Sequence, residues 1–202
     1  MDLLHLYRKP ALFETKKKNL LSFVRQSVSQ DVKDIETEYC FNIETTAPLT
    51  AEEINILSWL LAETFEPENF DKKSFLADSY QSKDVIARSV ATKQSKVEIA
   101  TPSARNDNSL IIEVGPRMNF TTAWSTNAVS VCHACGLKKI TRIERSRRYK
   151  LISSQLSALS SQQFLALVHD RMTECPYPET LRTFETGIRP EPFYVVPLIE
   201  EG

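Results

Sequence analysis

A chain of 202 residues with 42% hydrophobic and 25% charged content suits one globular domain, with or without a docked tail. At that length it buries ~70% of its unfolded surface without needing a disulfide or metal staple. A net charge of −1 excludes bulk attraction to nucleic acid or anionic lipid. The four glycines, Gly115, Gly136, Gly187 and Gly202, stand too far apart for a dinucleotide-binding or phosphate-cradling loop.

No apolar stretch approaches the ~18 residues of a membrane span. The first residues carry an acid, Asp2, and reach Arg8-Lys9-Pro10 after a few apolar side chains, unlike a secretory signal. Cys40, Cys132, Cys135 and Cys175 then read as reduced thiols, and the expected compartment is the cytoplasm.

In chain order, residues 3–8 alternate as a first strand. Residues 11–28 turn helical, with Leu20, Phe23, Val24 and Val28 on one face and Lys16, Lys17 and Lys18 toward solvent. Residues 35–46 alternate again, placing Ile35, Thr37, Tyr39, Phe41 and Ile43 on one side of a strand. Thr50 with Glu53 forms a capping-box signature, Leu49 precedes it as a staple residue, and the helix runs through Leu61 before Pro67. Residues 80–107 are small, polar and basic, and are expected to be a surface insertion.

Order returns at Ser109 with Leu110-Ile111-Ile112-Glu113-Val114, a strand ended by Gly115-Pro116. A hydroxyl-rich loop, residues 117–127, leads to a helix that Ser125 or Thr126 can cap and that Gly136-Leu137 closes. Residues 140–152 form a long strand. Residues 161–174 form the last helix, with Phe164, Leu165, Val168 and Met172 at helical spacing. Pro176, Pro178, Pro190, Pro192 and Pro197 mark the remaining 175–202 as an extended linker. The order predicts an α+β fold of two fused β-α-β type halves, an antiparallel sheet covered by helices, occupying residues 1–174.

Chemistry is sparse. Cys132-His133-Ala134-Cys135 offers two thiols and one imidazole, too few for a zinc site, and falls in the last turn of a helix, where a redox pair does not sit. It reads as small buried residues. His5, His133 and His169 find no nucleophile to serve, and His169-Asp170-Arg171 is expected on a helix surface. Arg142, Arg145, Arg147, Arg148 and Lys150 crowd one strand. That crowd suits an exposed edge, an acidic docking partner or a phosphate contact. The loop from Arg117 through Asn119, Trp124, Ser125, Thr126 and Asn127 ends at a helix N-terminus, which can favour an anion, but the residues alone favour ordinary capping, with Trp124 as a core or interface aromatic.

Several strings then carry a resemblance: Ile112-Glu113-Val114-Gly115-Pro116-Arg117-Met118-Asn119-Phe120, Trp124-Ser125-Thr126-Asn127-Ala128 and Cys135-Gly136-Leu137. Arg142-Ile143-Glu144-Arg145 with Arg148-Tyr149, His169-Asp170-Arg171-Met172-Thr173-Glu174, Glu38-Tyr39-Cys40-Phe41-Asn42 and the closing Leu198-Ile199-Glu200-Glu201-Gly202 extend it. Together these resemble the N-terminal region of phosphoribosylformylglycinamidine synthases. The resemblance implies a domain similar to two fused copies of the split enzyme's small subunit, which helps to assemble the complex and couple ammonia delivery. Its implied reaction is the ATP- and glutamine-dependent conversion of formylglycinamide ribonucleotide to the amidine, in purine synthesis.

Ala123 stands where the family often has proline, and residues 80–107 match nothing in it. The ATP site, the magnesium ligands and the glutaminase cysteine and histidine would follow Gly202. The resemblance therefore implies a truncated, non-catalytic piece with no cofactor of its own, whose partners are the remaining synthetase and glutaminase domains, if these are encoded separately. Arg117, Asn119, Trp124, Ser125, Thr126, Asn127, Arg142, Arg145 and Arg148 are its candidate substrate-binding or domain-docking residues. A stand-alone phosphate- or nucleotide-binding module built on Arg117 and Arg142, or a nonfunctional fragment, stays open beside this reading.

Overall fold

The computed structural model describes residues 3–62, 65–76, 109–155 and 160–187. The expected insertion over 80–107 and the far end of the expected linker lie outside them. Among the described residues the elements run β1 (Leu4–Arg8), α1 (Glu14–Ser27), β2 (Val32–Thr45), α2 (Ala51–Leu61), a 3-10 turn (Pro67–Asn69) and β3 (Phe70–Asp71). They continue with β4 (Ser109–Pro116), α3 (Ala123–Ala134), β5 (Ile140–Ser153), α4 (Ser161–Val168) and β6 (Glu174–Tyr177). No helix among them is long and apolar enough to cross a membrane.

The strands form one antiparallel sheet in the order β3-β1-β2-β5-β4-β6. That order is symmetric: each half is β-α-β-α-β, and the halves meet on the β2–β5 ladder, where Ile35 faces Leu151 and Ile43 faces Ile143. The fold is α+β with two similar halves, as the sequence predicts. Two apolar cores lie under the helices. Leu57 of α2 and Cys132 of α3 pack with Leu6, Phe41 and Ile143, while Val24 of α1 and Phe164 of α4 pack with Ile35, Ile112 and Leu151. Each core takes one helix from each half, so neither half covers its own strands alone.

Local signals explain most boundaries. The Thr50 hydroxyl accepts from the Glu53 amide at 3.2 Å, and the Glu53 carboxylate accepts from the Thr50 amide at 2.7 Å, closing the expected capping box. Helix α3 ends on Gly136 at φ +88°, with Leu137 N–H bonded to Cys132 C=O and Gly136 N–H to His133 C=O. This is a Schellman closure, and its apolar contact puts Leu137 and Cys132 in one core.

Four expectations need correction. Phe23 is 58% exposed, and Val24 holds α1 on the sheet with Leu20, Leu21 and Val28 packed beside it. The cap of α3 is Thr122, not Ser125 or Thr126; its hydroxyl accepts from the Ser125 amide at 3.1 Å. Helix α4 stops at Val168, so His169-Asp170-Arg171 is not helical and Met172 is 83% exposed. The Asp170 carboxylate accepts from the Met172 amide and the Thr173 hydroxyl, which turns the chain into β6. The chain expected to begin a linker at 175 is therefore still sheet through Tyr177, and Phe184 beyond it is buried.

Strand β6 also accounts for Gly115. A Cβ there would lie 2.6 Å from a Tyr177 ring carbon, and the Tyr177 hydroxyl donates to the Pro116 carbonyl at 2.5 Å. Gly115→Ala is expected to destabilise the domain by ~1–3 kcal/mol through overpacking, read as a lowered urea midpoint. Gly115→Ala combined with Tyr177→Leu, which opens the space, should recover part of that loss.

Candidate functional site

Strand periodicity sorts the chemistry-bearing side chains onto two faces. Leu6, Arg8, Tyr39, Phe41, Arg145 and Arg147 share the helix-covered face, because Arg8 pairs with Tyr39, Tyr39 with Arg147 and Phe41 with Arg145. The alternate residues His5, Tyr7, Glu38, Cys40, Asn42, Glu113, Ser146 and Arg148 occupy the opposite face. Among the described residues that face carries no helix, yet Glu38, Asn42 and Ser146 are fully buried and Cys40 nearly so.

Burial is possible there because nearly every polar group is hydrogen-bonded, Arg148 Nε being the exception, with an ion-pair contact but no hydrogen bond. Glu38 Oε1 lies 2.5 Å from Arg148 Nη1 and accepts from the Ser74 hydroxyl at 2.6 Å. Glu38 Oε2 accepts from the Phe75 and Leu76 amides. Arg148 Nε sits 3.3 Å from Glu113 Oε2, and the Ser146 hydroxyl donates to Glu113 Oε1 at 2.5 Å. Asn42 Nδ2 donates to Ser146 Oγ, and the Cys40 thiol lies between Asn42 Oδ1 and His5 Nδ1. Two carboxylates share one guanidinium. Burial penalises the charge on Arg148, but Glu113 and Glu38 outweigh it and hold its pKa above the usual value. Burial raises the Glu113 pKa and lowers that of His5. The Cys40 thiol is pushed far up by burial, so this cysteine is an inert packing group.

The loop before α3 is held by a second network. Glu144, 1% exposed, accepts from the Thr122 amide at 3.0 Å, the Thr122 hydroxyl at 2.7 Å and Arg142 Nε at 3.1 Å. Arg142 also donates to the carbonyls of Met118 and Phe120 and stacks on Phe184 at 4.2 Å. A carboxylate of the protein itself thus occupies the start of α3, where the sequence suggested room for an external anion. The nine candidate residues separate accordingly. Arg142 and Ser125 secure the loop, the latter accepting from the Ile143 amide. Arg117 donates to the Arg171 carbonyl. Arg148 belongs to the helix-free face, Arg145 and Trp124 to the helix-covered one, and Asn119, Thr126 and Asn127 are exposed.

Sequence reasoning did not single out Glu38, Glu113 or Glu144 as site residues. Period-2 pairing of acids on β2 and β4 with arginines on β5 was the available signal. Among the described residues no group of three His, Cys, Asp or Glu is placed to hold a metal ion. Of the Cys132-His133-Ala134-Cys135 string, Cys132 is core, with its thiol pushed to about 11 by burial, while Cys135 is exposed. His133 Nε2 contacts the Ile140 carbonyl at 2.8 Å.

Residues 38–183 match the family model described as formylglycinamide ribonucleotide amidotransferase N-terminal. The whole chain aligns at 44% identity with a phosphoribosylformylglycinamidine synthase of Dictyostelium discoideum, spanning 14% of that protein. It aligns at 41% identity, again over its whole length, with a probable chloroplastic/mitochondrial phosphoribosylformylglycinamidine synthase of Arabidopsis thaliana, spanning 13% of it. With the Homo sapiens phosphoribosylformylglycinamidine synthase the identity is 32% over 94% of the chain and 12% of the relative.

Proposed function

This chain belongs to the formylglycinamide ribonucleotide amidotransferase N-terminal family, and from that membership we propose that it is an assembly and coupling domain of a phosphoribosylformylglycinamidine synthase. The observation that carries the reading is the alignment over 94–100% of the chain with relatives of which it covers only 12–14%. The reaction of the whole enzyme, ATP- and glutamine-dependent amidination of formylglycinamide ribonucleotide, then runs on polypeptide outside these residues, along with ATP and magnesium. The side chains agree with a structural role: Glu38, Glu113, Glu144, Arg142 and Arg148 are engaged with one another or with the backbone, and none activates a nucleophile. The domain's work is to present surfaces, and the loop over residues 117–122 is one of them. The proposed compartment is the cytoplasm.

The test is reconstitution. The purified chain is expected to show no glutamine- and ATP-dependent amidination alone. Added to a relative's synthase lacking its own N-terminal domain, it is expected to restore turnover. Turnover by the isolated chain would refute the proposal, and so would failure of the folded chain both to bind and to restore the headless synthase.

A further inference from the structure

Beyond Tyr177 the chain leaves the sheet at the β6 edge and crosses the helix-free face. Leu181 and Arg182 already lie at β1, on the far side of β4, β5 and β2. There the Leu181 backbone is hydrogen-bonded to the His5 ring, and the Arg182 carbonyl accepts from the Leu3 amide at 3.2 Å. Residues 178–187 form no helix or strand, and all are exposed except half-buried Leu181 and buried Phe184. Phe184, 6% exposed, sits in a turn where the Glu185 amide donates to the Thr183 hydroxyl at 3.1 Å.

The Phe184 ring lies against the Arg142 guanidinium, 4.2 Å from ring centroid to guanidinium carbon. The same guanidinium holds the loop before α3. It donates to the Met118 carbonyl at 3.1 Å, to the Phe120 carbonyl and to Glu144. One flat face of Arg142 thus meets the outgoing chain while its in-plane donors meet the loop. Stacking costs the arginine its freedom to swing, so the ring helps to fix where those donors point. Burying a single ring gains free energy of the same order as ordering a few exposed residues costs. Phe184 is therefore a plug held near balance, in a segment that is otherwise wet.

We propose that residues 178–187 are a strap that couples the outgoing chain to the loop over residues 117–122, with Phe184 as its plug and Arg142 as the link. With the plug in, Arg142 is aligned on the Met118 and Phe120 carbonyls and the loop is ordered. With it out, Arg142 turns to water and the loop loosens. The coupling runs both ways: a partner that binds the ordered loop holds Phe184 in, and one that draws the chain away at Gly187 loosens the loop. This deepens the coupling role above and rests on it for the partner, the remaining synthase polypeptide; the strap, plug and link lie within this chain.

Hydrogen exchange in the purified full chain is the test. The Thr122 amide, bonded to Glu144, reports the loop, and the Leu151 amide on the central ladder reports global opening. Phe184→Ala is expected to speed exchange at Thr122 by roughly 10- to 100-fold and to leave Leu151 unchanged. In the other direction, Arg142→Lys keeps the charge but loses the planar stack and fork, and is expected to speed chymotryptic cleavage after Phe184 by about 10-fold. An unmoved Thr122, an equal acceleration at Leu151, or unchanged cleavage after Phe184 would each overturn the proposal. Should Phe184→Ala fail to fold, Phe184→Leu keeps an apolar plug without the ring face; a smaller acceleration at Thr122 is then expected, and none overturns the proposal equally. Both readouts use this chain alone, so their failure is distinct from failure to restore a headless synthase.

Discussion

Arg148→Ala is expected to cost the domain about 3–5 kcal/mol of unfolding free energy, the largest loss from any single substitution on the sheet. Two buried carboxylates share this guanidinium, and removing it leaves Glu38 and Glu113 facing each other without a countercharge. Glu38→Gln should cost less. It removes one of two negative charges and leaves Arg148 matched one-to-one with Glu113. The order of the two losses in urea unfolding is the check; a cheaper Arg148→Ala would show that the cluster is not governed by charge balance. Glu113 gives the pH dependence. Its folded pKa lies above the ordinary 4.5, so folding favours its protonated form. The associated stability is fully present below the unfolded pKa and is lost as pH rises through the folded one. Glu113→Gln is expected to flatten that fall, and to be neutral or stabilising at pH 7.

The halves and their order were legible because the period changes cleanly from 2 to 3.6 along the chain and because Thr50, Glu53 and Gly136 mark helix ends. The buried polar face was not. Glu38, Cys40 and Asn42 alternate with Tyr39 and Phe41, a pattern that ordinarily means solvent on one side. What covers Glu38 arrives from Ser74–Leu76, 36 to 38 residues away, and what covers Gly115 arrives from Tyr177. Local pattern carries no information about either. The end of α4 failed for another reason: Met172 prolongs the helical spacing, and the Asx turn at Asp170 outcompetes it. The crowd of arginines on β5 was half-readable, since period 2 alone separates Arg142 and Arg148 from Arg145 and Arg147.

The cap of α3 shows how a tertiary partner decides a local choice, and it sets the second large effect. Thr122, Ser125 and Thr126 all have a cap's chemistry. Glu144 selects Thr122, holding both its amide and its hydroxyl while Arg142 fixes the carboxylate from the other side. Glu144→Ala therefore removes three hydrogen bonds from a site with almost no water and leaves the partly buried Arg142 without its carboxylate. The expected cost is about 3 kcal/mol, with faster amide exchange at Thr122 and Ser125. Glu144→Gln should fall between the two, because its amide oxygen still accepts from Thr122 while its NH2 turns a donor toward Arg142. Ser125→Ala, which deprives only the Ile143 amide of a partner, should cost about 1 kcal/mol. If Glu144→Ala costs no more than Ser125→Ala, the loop over residues 117–122 is held by Arg142 and the Met118 and Phe120 carbonyls alone, and Glu144 is merely buried beside them.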